Sequence, residues 1–118
     1  MTKFFELSEF DSPDAPGSGV KMQRDFLIML DKAREIAALP FHINSGFRTK
    51  DHNNRVGGSP NSSHMKGWAV DIRVDSNQAR FRIVDALLKA GFTRIGMGVN
   101  FIHCDCDPSK PARTIWTY

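Results

Sequence analysis

The chain has 118 residues, enough for one hydrophobic core and too few for two. Hydrophobic residues make up 41% and charged residues 25%, which excludes a disordered or low-complexity chain, and no apolar run approaches the ~20 residues that cross a bilayer. The formal charge of +3 suits an anionic partner, whether nucleic acid, membrane surface or bacterial wall polymer, but no block of five or six basic residues is present, so a solvated basic surface is the first reading and neither nucleic-acid binding nor membrane insertion is expected.

One domain over residues 1–118 is the expectation, with no internal repeat. Residues 1–6 lack the long apolar core of a signal peptide, so the chain is expected to be made in the cytoplasm and to reach its place of action by another route. Residues 1–10 read as a short strand or a single helical turn anchored by Phe4, Phe5, Leu7 and Phe10, and 11–19 as a turn-rich loop. The first helix is expected over 21–38: Phe26, Leu30, Ala33 and Ala37 share a face, Leu27, Ile36 and Leu39 widen it, and Pro40 ends it.

A strand over 41–45 then turns out through Gly46, Phe47 and Arg48. Thr49 is placed to cap a short helical segment over 50–56. Residues 57–63 form a loop that delivers His64, Lys66 and Gly67 turn, and a strand covers 68–74. Asp75, Ser76 or Asn77 caps a second helix of about thirteen residues, with Phe81, Val84, Leu87 and Leu88 as its apolar side and Gly91 as its stop. Strands follow over 92–95 and 101–106, joined by a turn over 96–100, and a proline-punctuated tail carries two aromatic residues. Helices mixed with short, mostly antiparallel strands define an α+β fold: a small sheet with helices packed on it.

The chemistry gathers in three places. His64 and Asp71 stand seven residues apart around a glycine turn, and an imidazole nitrogen and a carboxylate oxygen are two ligand types that zinc accepts. In the last strand, alternation puts Phe101, His103 and Asp105 on one face and Ile102, Cys104 and Cys106 on the other. If that strand lies beside the 68–74 strand, His103 joins His64 and Asp71 in an open three-ligand site, the kind that hydrolyses amides or esters. Arg48, after a strand and a glycine turn, is suited to clamping a carboxylate or stabilising an oxyanion. Cys104 and Cys106 are too close along one strand to pair and read as reduced, buried, small apolar residues. His42 and His52 read as ordinary surface or edge residues.

Taken in order, Ser45-Gly46-Phe47-Arg48, then 56–72 with its Ser62-Ser63-His64 and Gly67-Trp68-Ala69-Val70-Asp71, then 91–96, then Phe101-Ile102-His103-Cys104-Asp105 resemble a family. It is that of zinc D-alanyl-D-alanine carboxypeptidases and L-alanyl-D-glutamate endopeptidases, peptidoglycan peptidases whose fold relatives include hedgehog domains. The resemblance implies one zinc ion held by His64, Asp71 and His103, with Arg48 near the substrate or the developing oxyanion. It also implies that Ser62 supports the first ligand from behind.

Several branches of the family carry a carboxylate three residues before the last histidine, as general base. Here that position is Asn100, which takes up no proton at neutral pH. The chain therefore resembles the short carboxypeptidase-like branch. Asp105 is the nearest acidic substitute, as proton acceptor or as the group that orients a ligand histidine, and orientation is favoured. The expected function is zinc-dependent hydrolysis of peptidoglycan peptides by a monomer, acting on the cell wall or periplasm, of the kind phages use for lysis or infection. The alternative is a zinc-bearing wall-binding module without catalysis.

Overall fold

Two alternating segments, Ala69–Arg73 and Phe101–Asp105, organise the architecture. In the computed structural model, which describes residues 2–118, each is a strand that buries one set of side chains under helices. The elements in order are α1 (Arg24–Ala37), β1 (Ile43–Ser45), α2 (Lys50–Arg55), β2 (Ala69–Arg73), α3 (Asn77–Ala90), β3 (Arg94–Met97), β4 (Phe101–Asp105) and β5 (Thr114–Thr117). Short 3-10 turns cover Leu7–Phe10, Ser18–Lys21 and Ser63–Lys66.

The sheet order is β1-β2-β4-β3-β5. Every neighbouring pair is antiparallel except β3 with β5, which run parallel. The fold is α+β, as the sequence pattern implies. Val70, Ile72, Ile95, Ile102 and Cys104 point from the sheet into one core with Phe26, Leu30 and Ala33 of α1 and Ile83, Ala86 and Leu87 of α3. Ile72 and Ile102 are direct cross-strand partners, and both are fully buried.

The caps follow their chemistry. Thr49 accepts from the His52 N–H at the start of α2, and Ser76 accepts from the Ala79 N–H at the start of α3. Helix α1 ends on Ala38 at φ +54°, a left-handed position without a glycine. Arg82 of α3 crosses to donate to the Ala37 carbonyl at 2.7 Å and the Ala38 carbonyl at 3.2 Å, satisfying carbonyls that a helix end leaves open.

Several expectations need correction. Helix α1 starts at Arg24 rather than 21, because residues 18–21 form a separate 3-10 turn. Ile36 does not widen the buried face; it stands outside the core. On α3, Phe81 is 74% exposed and Leu88 49%, so the apolar side is wrong in part. Ile83, Ala86, Leu87 and Ala90 fall at i, i+3, i+4 and i+7 and form a cleaner stripe, with Phe81 and Leu88 on the opposite side of the helix. Strand β3 lies two residues later than its pattern suggests and takes Gly96 and Met97 out of the turn. The tail adds β5, a strand absent from the sequence reading.

A candidate metal centre on the bare face of the sheet

Register brings the site together. Asp71 of β2 stands directly opposite His103 of β4. The same rung continues through Gly96 of β3 to Trp116 of β5, and on the other side to Ser45 of β1. Partners in one rung share a face. Asp71, His103 and Trp116 therefore stand together on the face opposite α1 and α3.

His64 reaches this face from outside the sheet. It sits in the Ser63–Lys66 turn, where Ser62 Oγ accepts from the His64 N–H at 3.2 Å. Gly67 closes the turn at φ +76°, and a Cβ there would lie 2.4 Å from the Lys21 carbonyl oxygen, so only glycine fits. The Arg48 N–H donates to the His64 carbonyl at 3.1 Å, tying the turn to the chain leaving β1.

His64, Asp71 and His103 each present a ligand atom, and all three atoms lie within 4.8 Å of one another. Asp71 Oδ1 is 3.3 Å from His64 Nε2 and 3.1 Å from His103 Nδ1. With zinc–ligand bonds of about 2.0–2.1 Å, tetrahedral ligands stand about 3.3 Å apart, so the spacing suits that ion. The outward nitrogens are already engaged. His64 Nδ1 is 2.8 Å from the Gly46 carbonyl and donates to it; His103 Nε2 is 2.7 Å from Asp105 Oδ2 and donates to it. Those bonds set the tautomers, leaving a lone pair on His64 Nε2 and on His103 Nδ1, both aimed at Asp71 Oδ1. Three acceptors facing one another need a cation or a proton between them, and the donor set fits a metal.

The electrostatics separate the two histidines. Burial lowers the His64 pKa, and the neighbouring Asp71 only partly offsets it, which keeps the ring neutral as a ligand must be. Burial acts the same way on His103, but bonds to Asp105 and Asp71 outweigh it and raise the value. Asp71 is pushed up by burial, and contacts with both histidines more than reverse this, holding it ionised far below the usual carboxylate range.

Around these three, the other expected residues take distinct places. Arg48 Nη2 donates to Asp71 Oδ2 at 3.3 Å, while its Nε bonds Ser45 Oγ and its Nη1 bonds Asn53 Oδ1. Asn53 is fully buried in α2, and its side-chain nitrogen donates to the Ser59 carbonyl. A Cβ on Gly58 would lie 2.1 Å from Asn53 Oδ1, so glycine there permits this arrangement. Asp105 is 1% exposed and bonded on both oxygens: Oδ2 to His103, Oδ1 to Arg94 Nε at 2.8 Å and to the Asp107 N–H at 3.1 Å. Asn100 is exposed at the β3–β4 turn, where its carbonyl accepts from the Val74 N–H, and it does not line the cleft. His42 and His52 do not line it either. Both cysteines are free, and burial pushes Cys106 up to about 12.

The cleft has a volume of about 330 Å³, and part of its wall comes from residues the sequence reading passed over. Trp116 stands 5.4 Å from the His103 ring, with the Arg94 guanidinium 5.0 Å over the indole. A Cβ on Gly96 would meet Trp116 Nε1 at 2.7 Å and Tyr118 Oη at 2.9 Å, so the bare glycine lets the aromatic wall close down beside His103. Lys110 lines the cleft as well. Behind it, Asp107 accepts from Ser63 Oγ at 2.7 Å, from Lys66 Nζ at 3.2 Å and from the Ser109 N–H at 2.9 Å, fastening the tail to the turn that carries His64. The one early signal was the run of β-branched and aromatic residues Thr114-Ile115-Trp116-Thr117-Tyr118.

Two imidazoles and one carboxylate at the floor of an open cleft, on the bare face of an α+β sheet, form the arrangement of a metal-dependent hydrolase. The model of the Peptidase M15 family matches residues 9–105, and the chain belongs to that family. Over 56 residues, 48% of its length, the chain is 41% identical to the zinc D-Ala-D-Ala carboxypeptidase of Streptomyces albus G. The matched stretch is 22% of that relative, so the chain spans only about a fifth of it. No helix among the described residues is long and apolar enough to cross a membrane.

Proposed function

We propose that this chain is a zinc peptidase that hydrolyses an amide bond in peptidoglycan stem peptides or cross-links. The observation that carries the reading is the convergence of His64 Nε2, Asp71 Oδ1 and His103 Nδ1, with each imidazole's other nitrogen already bonded. Membership in the Peptidase M15 family supports amide hydrolysis, and the name of the Streptomyces relative supports zinc and a wall peptide.

His64, Asp71 and His103 would hold the ion. When bound, zinc supplies Lewis acidity, polarising a carbonyl and bringing the pKa of water down toward ~7. Asp105 orients His103: three donors already occupy its oxygens, so it is engaged as an anchor rather than as a proton carrier. Arg48 holds Asp71 in place, and its charge in the cleft wall favours the oxygen that turns negative as the amide is attacked. The site of action is the cell wall.

A second reading, a zinc-bearing wall-binding module, draws on one observation. Among the described residues lining the cleft, the only carboxylates are Asp71 and Asp105, and both are committed to histidines. Purified peptidoglycan incubated with zinc-loaded protein separates the two. Mass spectrometry is expected to find shortened or uncrosslinked peptides with new amine termini. Chelation and His64→Ala are each expected to lower their release by about a thousandfold, the loss of several kcal/mol of Lewis-acid assistance. Wall binding with no new termini would leave the binding module in its place.

A further inference from the structure

We propose that the segment after β4, residues 106–118, builds a substrate subsite in which the Lys110 ammonium takes a carboxylate of the peptide, in the cleft that Trp116 also lines. The inference rests on the peptidase reading and deepens it. This segment follows the 9–105 stretch that the family match covers.

The charges in the cleft single out Lys110. Three cationic side chains line it, Arg48, Arg94 and Lys110, against two carboxylates. Arg48 is paired with Asp71 and Arg94 with Asp105. Lys110 is the most loosely paired of the three: among the described residues its nearest carboxylate oxygen, on Asp107, is 3.9 Å away, and that carboxylate is shared with Lys66 and two serines. The two short bonds of its ammonium go to neutral oxygens, the Asn61 carbonyl at 2.7 Å and Ser63 Oγ at 2.8 Å. An ammonium carries three donors. Two fix its position, and the third, on an ammonium only loosely paired with the shared Asp107 carboxylate, is left for an anion entering the cleft. Ser63 adjoins His64, so the ammonium is held to the same turn as a metal donor and its distance from the reacting bond is set by that turn. A peptide carboxylate is the anion that a wall peptidase meets there.

The test uses one synthetic stem peptide in three forms: both carboxyls free, the C-terminal carboxyl amidated, or the side-chain carboxyl amidated. Zinc-loaded wild type, Lys110→Met and Lys110→Arg are compared on each by steady-state kinetics and by calorimetric binding. Lys110→Met is expected to raise KM and Kd for the free peptide by roughly 10- to 100-fold, the worth of one charge-assisted hydrogen bond, with kcat within about twofold. Lys110→Arg is expected to recover most of the loss. The effect of Lys110→Met is expected to vanish on one amidated form, the one lacking the carboxylate that Lys110 takes.

An equal loss on all three forms, or none on any, overturns the proposal. Should Lys110→Met not fold, wild type alone decides: a Kd that is the same for all three forms overturns it, and a 10-fold or greater preference for the free peptide supports it. If no form is cleaved, the peptidase reading fails, while the binding data still judge the subsite.

Discussion

The two faces of the sheet carry residues from the same strands, yet they are built by different rules. On the helix side, Ile72 and Ile102 pair across β2 and β4, and neighbours of the right size suffice to hold them. One residue along, Asp71 and His103 pair across the same strands on the bare side, where each polar atom has a named partner. Apart from the three facing acceptors of the metal centre, no buried side-chain nitrogen or oxygen lacks a hydrogen-bond partner among the described residues. Burial of apolar area is tolerant of shape; a set of donors must converge within tenths of an ångström. The core therefore stabilises the register, and the register positions the chemistry.

Substitutions on the two faces should separate stability from metal binding. The largest stability effect is expected on the helix side: Ile102→Ala, at a fully buried position, should cost about 3–4 kcal/mol in denaturant unfolding while the folded fraction keeps its zinc affinity. A matching fall in zinc affinity would mean that the faces are not separable.

Asp107, which clamps the tail to the His64 turn, comes next. Burial would raise its carboxyl, but bonds from Ser109, Ser63 and Lys66 hold it well below the usual range. Its contribution is then present above the unfolded value near 4 and is lost as pH falls through the lower folded value. Asp107→Asn should cost about 2–3 kcal/mol at pH 7 and flatten the acid limb of the stability curve. An unchanged acid limb would count against the clamp.

Asp105→Asn removes the carboxylate that orients His103 and also breaks the buried pair with Arg94. It should weaken zinc binding by about 10- to 100-fold in competition with a chromogenic chelator and lower the unfolding temperature as well, since Arg94 loses its carboxylate. The smallest effect is at the far end of α1: Ala38→Gly relieves a left-handed alanine and should stabilise by up to about 1 kcal/mol in thermal unfolding. It should leave zinc affinity untouched, since Ala38 lies outside the cleft.

What was legible from the chain alone was whatever nearest neighbours decide. The alternation in 68–74 and 101–106 put Asp71 and His103 on the correct faces, and Thr49, Ser76 and Gly91 marked helix ends because capping is a bond between residues two or three apart. Arg48, Ser62 and His64 were visible as motif residues of the family the chain resembles, and Asp105 by its place on the His103 face. Tertiary structure decided the rest. The sequence offered α3 two apolar stripes, and packing against α1 selected Ile83 and Leu87 over Phe81 and Leu88. The one-to-one register of Asp71 with His103, the parallel return of β5 and the arrival of Lys110 and Trp116 in the cleft depend on hydrogen bonds and burial between residues far apart in the chain. Local propensity carries no information about such partners; only closing the core brings them face to face.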